Sequence, residues 1–230
     1  MTQSVKRGTT SSVQEETLTG AMLVCSLVGR AFYKYPDKEW LESLIAENVF
    51  AEAPFAADHP DVVRGAELLS AWSAAHRNGL SDDEFEAISF DYNHLFVGPA
   101  HVLAPPWESV HFSADRLIFQ KETLHVRDWY ARYGLALVYL GHEPDDHIGL
   151  ELEFLAQLNR LAIEAIHAGD SAGASHLLGA QRDFLSEHPM RWAPKWCQSV
   201  ITQARTDFYR GIAMITFGAL DELAATLATI

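Results

Sequence analysis

Apolar residues recur at helical spacing along most of the chain. Leu18, Met22, Cys25, Gly29 and Phe32 fall on one helical stripe, which Pro36 ends. Ser12-Val13-Gln14-Glu15 just before it has the form of a capping box, in which a serine and a glutamate satisfy each other's backbone amides. Lys38 to Glu47 reads as a short helix that buries Trp40, Leu41, Leu44 and Ile45. Residues 50–60 contain two prolines and read as a loop. Val62 to Asn78 follows as a helix stopped by Gly79. Ser81-Asp82-Asp83-Glu84 is a second capping box, opening a helix that carries Phe85, Ile88, Tyr92, Leu95 and Phe96 and closes at Gly98-Pro99.

The middle of the chain is less regular. Residues 98–119 read as irregular, because Pro105-Pro106 cannot continue a helix. Glu122 to Tyr133 is helical, and Gly141 to Asp146 forms a turn. Helices then follow at about 147–168, 172–187, 194–206 and 207–228, with Gly169, Pro189 and Pro194 as punctuation. Alternating stretches at Ser109–Phe112 and Ala136–Leu140 are too short to build a sheet. The pattern predicts an all-α, multi-helix globule of one domain, residues 1–230. The segment 141–147 is placed to act as a hinge between an N-terminal half (about 14–140) and a C-terminal half (about 147–228). Such a hinge makes either a monomer or a domain-swapped homodimer an expected state.

With 230 residues, 48% of them hydrophobic, the chain can bury a full core. Its formal charge of −14 excludes nucleic acid as an expected partner and disfavours an anionic membrane surface. That charge keeps the protein soluble and attracts basic partners. Cys25 and Cys197 lie far apart and form no CxxC pair, so neither a disulfide framework nor a zinc ribbon is expected. The polar start lacks the apolar stretch of a secretory signal, and a reducing, cytoplasmic setting is the default expectation.

Candidate chemistry is sparse. His142-Glu143-Pro144-Asp145-Asp146-His147 resembles a zincin motif, but its histidines are five apart rather than four and Pro144 breaks any helix through them. No GxxxxGK[ST] loop or GxGxxG fingerprint is present, and neither catalytic residues nor a cofactor are expected. A metalloprotein or metal-dependent hydrolase built on residues 142–147 is the alternative reading; a nucleotide-binding regulator lacks a phosphate loop. Asp145 or Asp146 also suits the cap of the helix that starts near His147. Trp107 follows two prolines in a loop, where a tryptophan is either tucked down as an anchor or offered to a partner. With Glu108 and Glu143 nearby in the pattern, an apolar groove with an acidic rim is expected.

Three motifs in order carry a family resemblance: Tyr92-x-x-Leu95-Phe96-x-Gly98-Pro99, then Pro105-Pro106-Trp107-x-Ser109-Val110, then Glu143-Pro144-x-Asp146-His147-x-Gly149. Phe184-Leu185-x-x-His188-Pro189 with Trp192 adds a fourth. Together they resemble the TorD/DmsD family of redox-enzyme maturation chaperones, closest to its DmsD-like branch. The resemblance implies an all-helical cytoplasmic chaperone. Its expected partners are the twin-arginine signal peptide and the apo catalytic subunit of a molybdenum-containing oxidoreductase, with Tat translocase components as further candidates. A chaperone for a redox enzyme that is not exported is the neighbouring reading. Carried over by position, the resemblance implies peptide contacts at Tyr92, Leu95, Phe96, Pro106, Trp107, Asp146 and His147. Glu143 and Asp146 are the carboxylates expected to pair with arginine guanidinium groups. Two departures stand out: Ala100 where some relatives carry tryptophan, and Glu108 where glycine is common, which is expected to add a charge near the groove mouth.

Overall fold

The computed structural model describes residues 2–98, 102–135 and 143–229, with side chains from Gln14 onward. Ten α-helices and one π-helical turn are present among them, with no strand beyond an isolated bridge. The helices are α1 (Thr2–Tyr33), α2 (Lys38–Ala46), α3 (Pro60–Ala75), α4 (Asp82–Tyr92), α5 (Glu108–Phe112), α6 (Lys121–Arg132), α7 (Ile148–His167), α8 (Ser171–Glu187), α9 (Pro189–Gln203) and α10 (Asp207–Leu227). The all-α expectation holds.

Local signals explain many of the boundaries. Ser81 and Glu84 form the reciprocal capping box at the start of α4, with each side chain accepting from the other's backbone amide. Asp37 caps α2 through the amide of Trp40. Pro60 occupies the first turn of α3, where a missing N–H costs nothing.

Five expectations need correction. α1 begins by Thr2, so Ser12 lies inside it rather than at its start. α9 begins at Pro189, not Pro194, because a proline in the second turn removes only one intrahelical bond and the apolar face of the helix outweighs that loss. The helix through Phe96 ends in a π turn, Asn93–Val97, and Ser109–Phe112 lies in the short helix α5. Trp40 is half-buried, with the Arg30 guanidinium over its ring at 4.6 Å. Ala136–Leu140 and residues 141–142 of the expected turn lie outside the described residues.

The two halves of the chain are interleaved. α1 lies along α7, and α3 lies along α10. One continuous core runs from Leu18 to Leu227. The α1–α7 crossing is close because glycines meet there: a Cβ on Gly149 would stand 2.6 Å from Tyr33 Cβ and 2.7 Å from the Gly29 carbonyl oxygen. That approach places the end of α1, with Tyr33 and Tyr35, beside the start of α7. No helix among the described residues is long and apolar enough to cross a membrane.

Candidate functional site

Trp107 and His147 precede α5 and α7 respectively, and each has extended backbone angles. The two residues pair as an antiparallel bridge. Glu108 N donates to the Asp146 carbonyl at 2.9 Å, and Ile148 N donates to the Pro106 carbonyl at 2.8 Å. The prolines that exclude a helix at 105–106 leave the chain extended, and the turn at 143–147 supplies the pairing partner. The loop tryptophan is thereby fixed on a rigid frame.

The turn is anchored by its own side chains. Asp146 is fully buried; its Oδ2 accepts from Ser109 N at 2.6 Å and its Oδ1 from Thr123 Oγ1 at 2.7 Å. It therefore satisfies the amino end of α5, whereas a cap on the adjacent helix was the expectation. Asp145 receives Nε and Nη2 of Arg127 at 3.0 and 2.6 Å, and its carbonyl accepts from Tyr130 Oη at 3.1 Å. The hydrogen bond and charge of Asp145 hold the Arg127 guanidinium above its ordinary range. His147 caps α7: its Nδ1 accepts from Gly149 N at 3.0 Å. Burial pushes this imidazole down to about 3, so it is neutral at ordinary pH.

The surface over this frame is aromatic and acidic. Trp107 is half-buried, and its indole N–H donates to Glu143 Oε1 at 2.8 Å. Its ring meets the His147 ring edge-on at 5.8 Å, and the Tyr33 ring meets His147 edge-on at 5.2 Å. Partial burial raises the Glu143 carboxyl, opposed by the Trp107 hydrogen bond and reinforced by the charge of Asp146. Tyr33 is raised by burial and then by Glu143 and Asp145. Tyr92 is pushed up to about 12 by burial, then by Glu143, Tyr33 and Tyr35. Beside Tyr33 opens a cleft of about 590 Å³, lined by Arg30, Lys34, Tyr35, Asp37, Leu150 and Glu153 with the two crossing glycines. Lys34 lies over the Tyr33 ring at 4.8 Å, which marks that ring as a cation-binding face.

The residues expected to contact a peptide thus separate into two groups. Trp107 and Glu143 reach the surface. Leu95, Phe96, Pro106, Asp146 and His147 are buried beneath it, and Tyr92 is nearly so. Phe96 packs against Phe32, Trp196 and Tyr209 in the core. A direct contact between Asp146 and a guanidinium is corrected, since both of its oxygens are engaged and it has no exposed surface. Glu108 also departs from expectation. It is fully buried, pointing away from any groove mouth, and accepts from His188 Nδ1 at 2.6 Å.

Tyr33, Tyr35 and Arg127 were not singled out in the sequence. The aromatic run Phe32-Tyr33-x-Tyr35 before Pro36 is the local signal for the first two; Arg127 has none, because its partner lies 18 residues away.

Neither cysteine is arranged for bond-making chemistry. Cys25 is pushed up to about 12 by burial, and Cys197 is raised by burial as well, so neither thiol is a ready nucleophile. Among the described residues, groups of three candidate metal ligands gather around His188 and include none of Asp145, Asp146 and His147; His142 lies outside the described residues.

A family model described as nitrate reductase delta subunit matches residues 62–198, more than half of the chain. The chaperone protein TorD of Vibrio cholerae strain El Tor Inaba N16961 is 32% identical over 171 residues, covering 69% of this chain and 76% of that protein. This chain belongs to the TorD/DmsD family of redox-enzyme maturation chaperones. A probable Tat proofreading chaperone DmsD of Haemophilus influenzae is 26% identical over 208 residues, covering 90% of this chain and 92% of its relative. The TorD of Aliivibrio fischeri is 27% identical over 145 residues, covering 62% and 66%. As a TorD/DmsD member, the protein is a chaperone of redox-enzyme maturation and not an enzyme. The Trp107–Glu143 frame falls within the matched region, while Tyr33 and Tyr35 lie upstream of it.

Proposed function

We propose that this chaperone binds the twin-arginine signal peptide of the catalytic subunit of a molybdenum-containing oxidoreductase, holding it in the cytoplasm until the cofactor is inserted and the client is ready for Tat export. The observation that carries the reading is a half-exposed tryptophan whose indole is held by a surface carboxylate, beside a tyrosine face already covered by a cation. A twin-arginine signal has a basic head and an apolar body. Glu143, Asp37 and Glu153 supply carboxylates for guanidinium groups. Tyr33 offers a π face to one of them, and Trp107 and Tyr35 offer apolar cover to the segment that follows. Tyr92, Leu95, Phe96, Pro106, Asp146 and His147 act from below, by holding that surface in shape. Docking a guanidinium on Tyr33 displaces Lys34, so the exchange is of one cation for another and leaves no buried charge unpaired.

Calorimetric titration with a twin-arginine leader from the same genome tests this, run beside a Lys-Lys version and a scrambled version. Saturable binding that prefers Arg-Arg, with Trp107→Ala costing more than about 1 kcal/mol, is the expected result. No binding to any leader by folded protein would overturn the reading and favour a client that is not exported.

A further inference from the structure

His188 lies at the junction of α8 and α9 and is buried, yet its Nε2 has no hydrogen-bond partner. Its Nδ1 is committed: it donates to Glu108 at 2.6 Å. That bond sets the tautomer, with the proton on Nδ1 and a lone pair on Nε2. An orphaned lone pair on a buried ring is costly unless something fills it. Two further donors stand close by. His125 on α6 has its ring centroid 4.8 Å from that of His188, and its Nε2 is 3.9 Å from Glu187 Oε2. One ligand atom from each of His125, Glu187 and His188 can be chosen so that all lie within 4.8 Å of one another.

We propose that His125, Glu187 and His188 form a binding site for a divalent transition cation of the zinc class, with water completing the coordination. Two imidazoles and a carboxylate are a donor set that zinc favours; two ligands on a tetrahedral zinc stand roughly 3.4 Å apart, so donors now within 4.8 Å of one another must draw inward by side-chain rotation to hold it. The surroundings supply the supporting layer that such sites use. Glu108 accepts from the proton-bearing nitrogen of His188, giving the carboxylate–histidine arrangement that fixes the orientation of a ligand ring. Trp129 Nε1 donates to Glu187 Oε2 at 3.2 Å and steadies that carboxylate while leaving lone pairs free. The nearby cation Arg191 donates to Glu108 Oε1 and to the Glu187 backbone carbonyl and lies over the face of Phe112, so it engages neither carboxylate oxygen of Glu187. A bound ion would join α6 to the end of α8. His125 and Glu187 are each about half exposed, so an ion can enter from solvent.

The test is titration of the tag-free full chain, stripped with chelator, with Zn²⁺ by calorimetry and with Co²⁺ by visible absorption. One equivalent should bind, and Co²⁺ should show the intense ligand-field bands of a four-coordinate site. His125→Ala and Glu187→Gln, both changes at exposed positions, should each weaken binding at least about tenfold. His176→Ala, an exposed histidine elsewhere, should leave it unchanged. Absence of saturable one-equivalent binding, or equal affinity in the parent and in folded His125→Ala and Glu187→Gln, would overturn the proposal.

Discussion

Asp145 and Asp146 are sequence neighbours with different tasks. Asp145 faces Arg127 on α6, and Asp146 faces the amino end of α5. Removing the arginine strands a buried carboxylate, so Arg127→Met should destabilise the fold by about 2 kcal/mol in denaturant melts. The half-exposed guanidinium is screened by solvent, which keeps the loss below that of a fully buried pair. His147 makes a second residue-scale prediction. Its folded value of about 3 lies below the ordinary histidine range, so the unfolded chain binds its proton first as pH falls. The stability it contributes is complete above about pH 6.5 and is lost progressively as pH drops toward 3. Its ring resonances should stay fixed between pH 8 and 5; a His147 titration near 6.5 would contradict the burial described. Trp107 could be picked out in the sequence because two prolines force a loop before it. The burial of Asp146 could not, since its partners Ser109 and Thr123 lie 37 and 23 residues away and no local pattern links them.

Among the elements, the crossing of α1 and α7 is the most demanding. Gly149→Ala puts a methyl 2.6 Å from Tyr33 Cβ and 2.7 Å from a backbone oxygen, and neither can yield without moving a helix. The variant should lose about 1–3 kcal/mol in thermal or denaturant melts and should weaken leader binding as the Tyr33 cleft opens. A melt unchanged from the parent would show that the helices separate freely. The sequence shows such elements unevenly. The Ser81–Glu84 capping box is local and complete within four residues, so it is legible. The π turn at Asn93–Val97 is set by how Leu95 and Phe96 must face the core, a tertiary demand that helical periodicity does not record. Pro194 misleads for the same reason: the local penalty is real, and packing of Trp192, Trp196 and Val200 exceeds it.

For the whole molecule, charge and interleaving matter most. A chain of net −14 draws a basic peptide from a distance, so the association rate with a twin-arginine leader should fall by about tenfold or more on moving from low to high salt, with dissociation changing much less. Stopped-flow measurement at two ionic strengths separates the two. The pairing of α1 with α7 and α3 with α10 also bears on the expected hinge. Exchange of halves about 141–147 would have to part both helix pairs and release Trp107 from the turn, so any swapped dimer must form during folding or through extensive unfolding.

Trp107 gives the protein a built-in optical reporter. Of the six tryptophans, only Trp40 and Trp107 are more than slightly open to solvent, and Trp107 is held against a carboxylate. A cationic quencher such as caesium is drawn to that indole, whereas iodide is repelled by the same charge. Emission should therefore be quenched more by caesium than by iodide, and a saturating leader peptide should shield the caesium-sensitive fraction. Trp107→Phe would remove that fraction, leaving the emission of half-buried Trp40 and of the four core tryptophans.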